Sequence, residues 1–223
     1  MVAASCVGLG LWQLRRLDER RARNTAIVEA TEAPTITAAT AREIAALSPF
    51  RRVRFRGTYD LEGEVLLYGR ALDGEPGHQV VTPLVLDDGS GVLVIRGWVP
   101  FSLADGAPVT EAPPIVARDV EVEGWLVAPE TTGASRPDAE GVIHELDIVG
   151  IGARLPYAVA PFAVQLDEQE PPAPPLPRQI PLPELSEGPH LSYAIQWFSF
   201  AMIAVIGSAV LLRRDRRRAT SAP

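Results

Sequence analysis

A run of 22 residues without a charge, Leu191 to Leu212, constrains this chain more than any other feature. As a helix rising about 1.5 Å per residue it would reach roughly 33 Å, enough to cross a hydrocarbon core of about 30 Å. His190 and several aromatics stand at one end, and at the other five arginines fall within Arg213 to Arg218. Residues 190–212 are therefore expected to form a membrane helix with a ligand-capable side chain at its mouth. A basic tail, 213–223, follows it.

The opposite end is apolar too, but Met1 to Leu14 offers only 14 uncharged residues. A signal peptide places basic residues before its core and small residues after it; here arginines follow instead. Residues 1–14 read as a first, incomplete transmembrane helix whose beginning is short or lost to a misplaced start. Ala4 with Gly8 and Ala204 with Ser208 have the small-xxx-small spacing that lets membrane helices pack closely. Residues 15–48 read as a helical connector, with a short helix at Thr37 to Leu47 opened by a Thr40/Glu43 capping box. The C-terminal arginines favour a cytoplasmic tail, and a hairpin then leaves both termini cytoplasmic and the middle of the chain outside.

Net charge supports that division. The two arginine clusters and the acids among them sum to +7, while the whole chain stands at −7, so the body carries −14. An acidic body argues against nucleic acid as a partner and leaves the lipid bilayer as the partner of the ends. A single cysteine, Cys6, rules out a disulfide framework, a CxxC pair or a thiolate metal site within one chain.

From Phe50 the apolar period becomes two. Arg52 to Tyr59 alternates Val53, Phe55 and Gly57 with arginines, and strands are expected at Glu64 to Arg70, Gln79 to Leu86, Gly91 to Val99 and Val120 to Val127. Asp87 to Gly91 is a hairpin turn. Arg51 to Gly57 (RRVRFRG) and Arg118 to Gly124 (RDVEVEG) look like equivalent strands. A short helix at Leu146 to Leu155 and a last strand at Ala163 to Leu166 complete residues 49–170. The expected fold is thus a membrane α-helical hairpin plus an extracytoplasmic, mainly antiparallel β domain, a small barrel or sandwich with short helices. Residues 171–189, with eight prolines, form an extended connector.

Four stretches together resemble the surfeit locus protein 1 family of cytochrome c oxidase assembly factors, bacterial type. They are L-G-L-W-Q-L-R-R-L at Leu9 to Leu17; R-V-x-x-x-G-x-Y-D at Arg52 to Asp60 with L-L-x-x-R at Leu66 to Arg70; V-x-T-P-L at Val80 to Leu84 with R-G-W-V-P at Arg96 to Pro100; and H-L-x-Y-A-x-x-W-F at His190 to Phe198. Ile95 and Gly188-Pro189 stand where family members commonly carry asparagine. The resemblance implies a multi-pass protein of the bacterial cell membrane that supports maturation of oxidase subunit I. It further implies transient binding and delivery of haem a, with subunit I and the haem a synthesis machinery as partners and His190 as the haem-iron ligand. A scaffold that holds oxidase subunits without binding haem is the alternative.

On a helix, His190, Tyr193, Ala194, Trp197 and Ala201 share one face. Tyr193 and Trp197 are then candidate neighbours of a haem plane, and the competing reading is an aromatic belt with an interfacial histidine. Trp12 reads as a belt or packing residue at the same depth. His78 and His144 lack metal-ligand spacing and read as solvated or structural, and Arg96 with Trp98 as a packed tryptophan capped by arginine. No nucleophile elbow, phosphate loop, dinucleotide fingerprint or HExxH helix is present, so no enzymatic activity is expected.

Overall fold

A computed structural model describes residues 1–104, 118–131, 133, 135–182 and 185–220. Its elements are α1 (Val2–Glu32), β1 (Ile36–Thr37), α2 (Ala41–Ala45), β2 (Arg52–Tyr59), β3 (Val65–Leu72), β4 (Glu75–Leu86), β5 (Gly91–Pro100), α3 (Phe101–Ala104), β6 (Val120–Val127), β7 (Val142–Ile143), α4 (Ile148–Gly152), β8 (Val159–Glu170) and α5 (His190–Thr220). The chain divides into two compact units, Glu29–Leu182 and Met1–Val28 with Pro183–Pro223.

In the first of these units the strands run in the order β1-β2-β6-β8-β5-β4-β3-β7, and a further pairing of β2 with β4 closes β2, β6, β8, β5 and β4 into a ring. The architecture is a small barrel extended by β3 and β7. Among the described residues the sheet is mainly antiparallel, as expected, with β2–β4, β2–β6, β3–β4, β4–β5 and β6–β8 all antiparallel, but it is mixed, because β5 pairs with β8 in parallel, as do β1 with β2 and β3 with β7. Each parallel pair joins strands that are not linked by a tight hairpin, as parallel pairing requires.

Two apolar clusters hold this unit together. Val53, Phe55, Leu84, Val92, Val94, Val122, Leu126 and Val164 come from all five ring strands and form one core. Val65, Leu67, Val81, Leu93, Ile95, Ile143 and Ile151 form the other, on the opposite face of β4 and β5. β5 is therefore buried from Gly91 through Val99, which is why its sequence is an apolar run, broken only by Arg96, and not an alternation.

The two look-alike segments are neighbours. β2 and β6 pair antiparallel, with Phe55 opposite Val122 and Arg54 opposite Glu123. Their outward side chains form a charge ladder in which Arg52 meets Glu123 at 2.6 Å and Arg56 meets Asp119 at 2.6 Å. Burial tends to raise the Glu123 carboxyl, but hydrogen bonds from Arg54 and Thr35 and the charges of Arg52 and Arg54 outweigh it and hold the group below its ordinary value.

Several expected boundaries shift. The helix expected at Thr37 to Leu47 is only Ala41–Ala45, because Ile36 and Thr37 pair with β2. The Thr40 hydroxyl accepts from the Glu43 amide at 3.2 Å, and the Glu43 carboxylate reaches back to the Ala39 amide at 2.7 Å. At the Asp87 to Gly91 hairpin the Leu86 amide donates to the Ser90 carbonyl at 2.7 Å, and Gly89 supplies a φ of +80°. Described residues of 171–189 form neither helix nor ladder strand; Arg178 alone exchanges two backbone bonds with Trp98, of 2.7 and 2.8 Å.

α1 is one unbroken helix, so the expected short span runs straight on into the first part of the expected 15–48 connector and ends at Glu32. α5 contains the candidate membrane span, His190–Arg214, 25 residues with a mean hydropathy of 2.0. Among the described residues no other helix is long and apolar enough to cross a membrane. Ile195, Met202, Ile203, Ile206 and Leu211 each leave more than half their surface uncovered by protein.

Candidate functional site

The mouth of α5 is built by a turn. Ser186 Oγ accepts from the Gly188 amide at 3.1 Å, Gly188 takes a φ of +70°, and the Pro189 carbonyl accepts the first helical bond, from the Tyr193 amide at 3.1 Å. Gly188-Pro189 thus replaces a capping side chain with backbone geometry and leaves the His190 side chain to another helix.

That helix is α1. Its buried residues are Cys6, Gly10, Gln13 and Leu17, a spacing of four, three and four that makes one narrow seam. Gly10 lies under Phe198 so closely that a Cβ would stand 2.8 Å from the ring. Gln13 Oε1 lies 2.8 Å from His190 Nδ1. Further along, the Arg20 Nε donates to the Ser186 carbonyl at 3.0 Å, and Arg21 donates to both carboxylate oxygens of Glu187 at 2.8 and 2.9 Å. Those bonds hold the Glu187 carboxyl below its ordinary value. Rising numbers on α1 meet falling numbers on α5, so the two helices run antiparallel.

The expected helix face divides. Ala194 and Ala201 are buried, His190 and Trp197 are half-buried, and Tyr193 is 47% exposed. Trp197 meets Phe200 edge-on at 5.9 Å. Trp12 is 51% exposed. The small-xxx-small pairs do not make the contact: a Cβ on Gly8 would meet nothing within 4 Å, and the Ser208 hydroxyl bonds its own helix at Ala204. The polar clasps at Gln13 and Arg21 set a register in which Gly10, two residues further on, is the close approach.

Within the β unit the motif residues converge on a structural cluster. Arg96, almost wholly buried, pairs with Glu64 at 3.0 Å, and the Thr82 hydroxyl donates to the same carboxylate at 2.6 Å. The Arg96 guanidinium lies 5.4 Å from the centre of the Tyr59 ring. Trp98 is buried, donates from Nε1 to the Arg70 carbonyl at 2.9 Å, and is covered by Arg178 at 4.2 Å. Arg96 and Trp98 are thus packing residues, but the arginine that covers Trp98 is Arg178 and not the expected Arg96, which lies over Tyr59 instead.

His78 and His144, 66 residues apart, meet around Tyr68. Leu67 pairs with Gln79 on one side and Ile143 on the other, so Tyr68 falls between the two histidines, with ring centres 5.4 and 5.1 Å away. Only the strand pairing reveals this. Phe101 stacks on Tyr68 at 5.2 Å, and among the described residues no group of three His, Cys, Asp or Glu side chains could hold a metal ion.

Residues 1–202 match the model of the SURF1 family. An uncharacterized SURF1-like protein of Mycobacterium bovis is 30% identical over 183 residues, covering 78% of this chain and 66% of the relative. The chain therefore spans just under two thirds of that relative's length. A SURF1-like protein of Rickettsia felis is 27% identical over 94% of this chain and 92% of its own. Surfeit locus protein 1 of Takifugu rubripes is 30% identical over 59% of this chain and 60% of its own.

Proposed function

The chain belongs to the SURF1 family, and from that premise we propose that it is a cytochrome c oxidase assembly factor of the bacterial membrane. In this reading it binds haem a transiently through His190 and supports its delivery to oxidase subunit I. α5 anchors the chain, the Met1 to Leu14 part of α1 enters the same bilayer, and the β unit lies on the extracytoplasmic side.

The observation that carries the reading is His190 itself. Its ring is half-buried just ahead of the uncharged run Leu191 to Leu212, its Nδ1 is engaged by Gln13, and its Nε2 has no hydrogen-bond partner among the described residues. The donor chemistry fits haem: imidazole nitrogen is a ligand that haem iron accepts, and an apolar helix with Trp197 and Phe198 on the following turns suits a porphyrin. Bound haem a would supply an iron that this imidazole can ligate. The chain's own part is to hold the ring, keep it partly shielded from water and let the cofactor go.

The full chain, purified in detergent from cells making haem a, should show a haem absorption spectrum that His190→Ala loses. Equal and negligible haem in both would remove the ligand role. Co-purification of oxidase subunits that persists in His190→Ala without haem would favour a scaffold instead.

A further inference from the structure

We propose that Gln13 is the positioning residue of this site. Its amide oxygen fixes His190 in the tautomer protonated at Nδ1 and so presents Nε2, with its lone pair, as the ligating atom. The haem reading supplies the identity of the metal centre; the tautomer stands on the geometry alone.

The contact joins residues 177 positions apart at 2.8 Å. Gln13 is only 9% exposed and is the one polar member of a seam otherwise made of Cys6, Gly10 and Leu17. A buried amide in such a seam is costly unless it is hydrogen-bonded, and His190 is the partner it has. The atom facing Nδ1 is an oxygen, which can only accept, so the proton sits on Nδ1 and the neutral ring keeps its lone pair on Nε2. Metal-bound histidines are held in this way, the far ring nitrogen donating to an oxygen that sets tautomer and orientation.

Two further features serve the same end. Arg20 and Arg21 clasp Ser186 and Glu187, the residues just ahead of His190, so the approach of the two helices is fixed on the polar side of the contact. Gly188 stands beside the free edge of the ring: a Cβ there would lie 3.6 Å from Nε2 and 3.5 Å from Cδ2. The W-Q-L-R-R stretch, Trp12 to Arg16, and the arginines after it thus include the support of the histidine. An amide oxygen is also a weaker acceptor than a carboxylate, so it leaves the imidazole a moderate ligand, suited to release.

The test uses the full chain in detergent micelles with 15N-labelled histidine, the His190 signals being assigned by their loss in His190→Ala. Without haem, wild type should show a protonated Nδ1 and a bare Nε2, and Gln13→Leu should shift His190 toward the Nε2–H tautomer. In haem titrations Gln13→Leu should weaken binding by about tenfold to a hundredfold. Gln13→Glu, which keeps an acceptor, should retain the Nδ1–H tautomer, bind haem and lower its reduction potential. An unchanged tautomer in Gln13→Leu overturns the assignment whatever haem does. A shifted tautomer combined with haem content indifferent to His190→Ala would support the positioning and remove the haem reading instead.

Discussion

Removing the carboxylate of Glu64 should cost the β unit far more than its partial exposure suggests. The Arg96 side chain is 3% exposed and the Glu64 side chain 20%, so Glu64→Ala strands a guanidinium that has almost no access to water. Breaking a buried ion pair from one side costs about 3–5 kcal/mol. Glu64 retains some solvent contact and Arg96 keeps the Tyr59 ring, so the lower part of that range, ~3 kcal/mol, is expected. For a unit of this size 1 kcal/mol moves the melting temperature by about 2–4 °C, so Tm should fall by about 6–12 °C. The assay is thermal unfolding followed by tryptophan fluorescence, since Trp98 lies in the strand that carries Arg96. A double variant, Glu64→Leu with Arg96→Leu, should recover much of the loss, because it removes the stranded charge along with its partner. A single variant that melts within 2 °C of wild type, or a double variant that melts below the single one, would refute the reasoning.

Three other substitutions report on separate parts of the structure. Glu123→Gln should destabilise the chain by about 1–2 kcal/mol at neutral pH, an amount reduced by the partial exposure of Arg52 and Arg54. Because the folded carboxyl titrates below its unfolded value, that contribution is complete above the ordinary glutamate range and is lost as pH falls through the lowered one; urea unfolding of wild type and variant should converge in acid. Gly124→Ala would place a Cβ 2.1 Å from the Gln165 carbonyl across the β6–β8 pair, and should cost about 2 kcal/mol or more in the same unfolding assay. Gly10→Leu should push Phe198 away and loosen the α1–α5 contact, seen as a slower disulfide cross-link between cysteines introduced on the two helices; Phe198→Ala should restore the rate.

Strands with one buried face were legible to the residue. Arg52–Tyr59 alternates buried and exposed residues along its length, and Val120–Val127 has the bounds that its valine-rich run suggests. β8 was seen only as Ala163 to Leu166, although it runs Val159–Glu170. Its polar end, Asp167 to Glu170, is held by pairing with Glu121 to Glu123 and by Arg52, neither of which leaves a local apolar pattern. Thr37, the expected first residue of a helix, is instead drawn with Ile36 into pairing with β2, a tertiary preference overriding a local one. The parallel β5–β8 pair and the ring closure are nonlocal and have no sequence signature.

At the site, the histidine at the helix mouth was visible because charge vanishes after it. Gln13 was not, because one polar residue in a short apolar helix looks like noise until its partner is known. In the sequence Arg20 and Arg21 are simply members of a basic cluster, yet they grip the turn before His190. The His78–Tyr68–His144 contact depends on pairing β3 with two strands at once, information that spacing along the chain does not carry.

The central claim, that the His190 imidazole is the haem ligand, is tested most directly by His190→Gly with added imidazole. Full-length protein from cells making haem a should lose its haem spectrum on substitution and regain it when imidazole is supplied. Haem bound to His190→Gly at the wild-type ratio, without imidazole, would contradict the account.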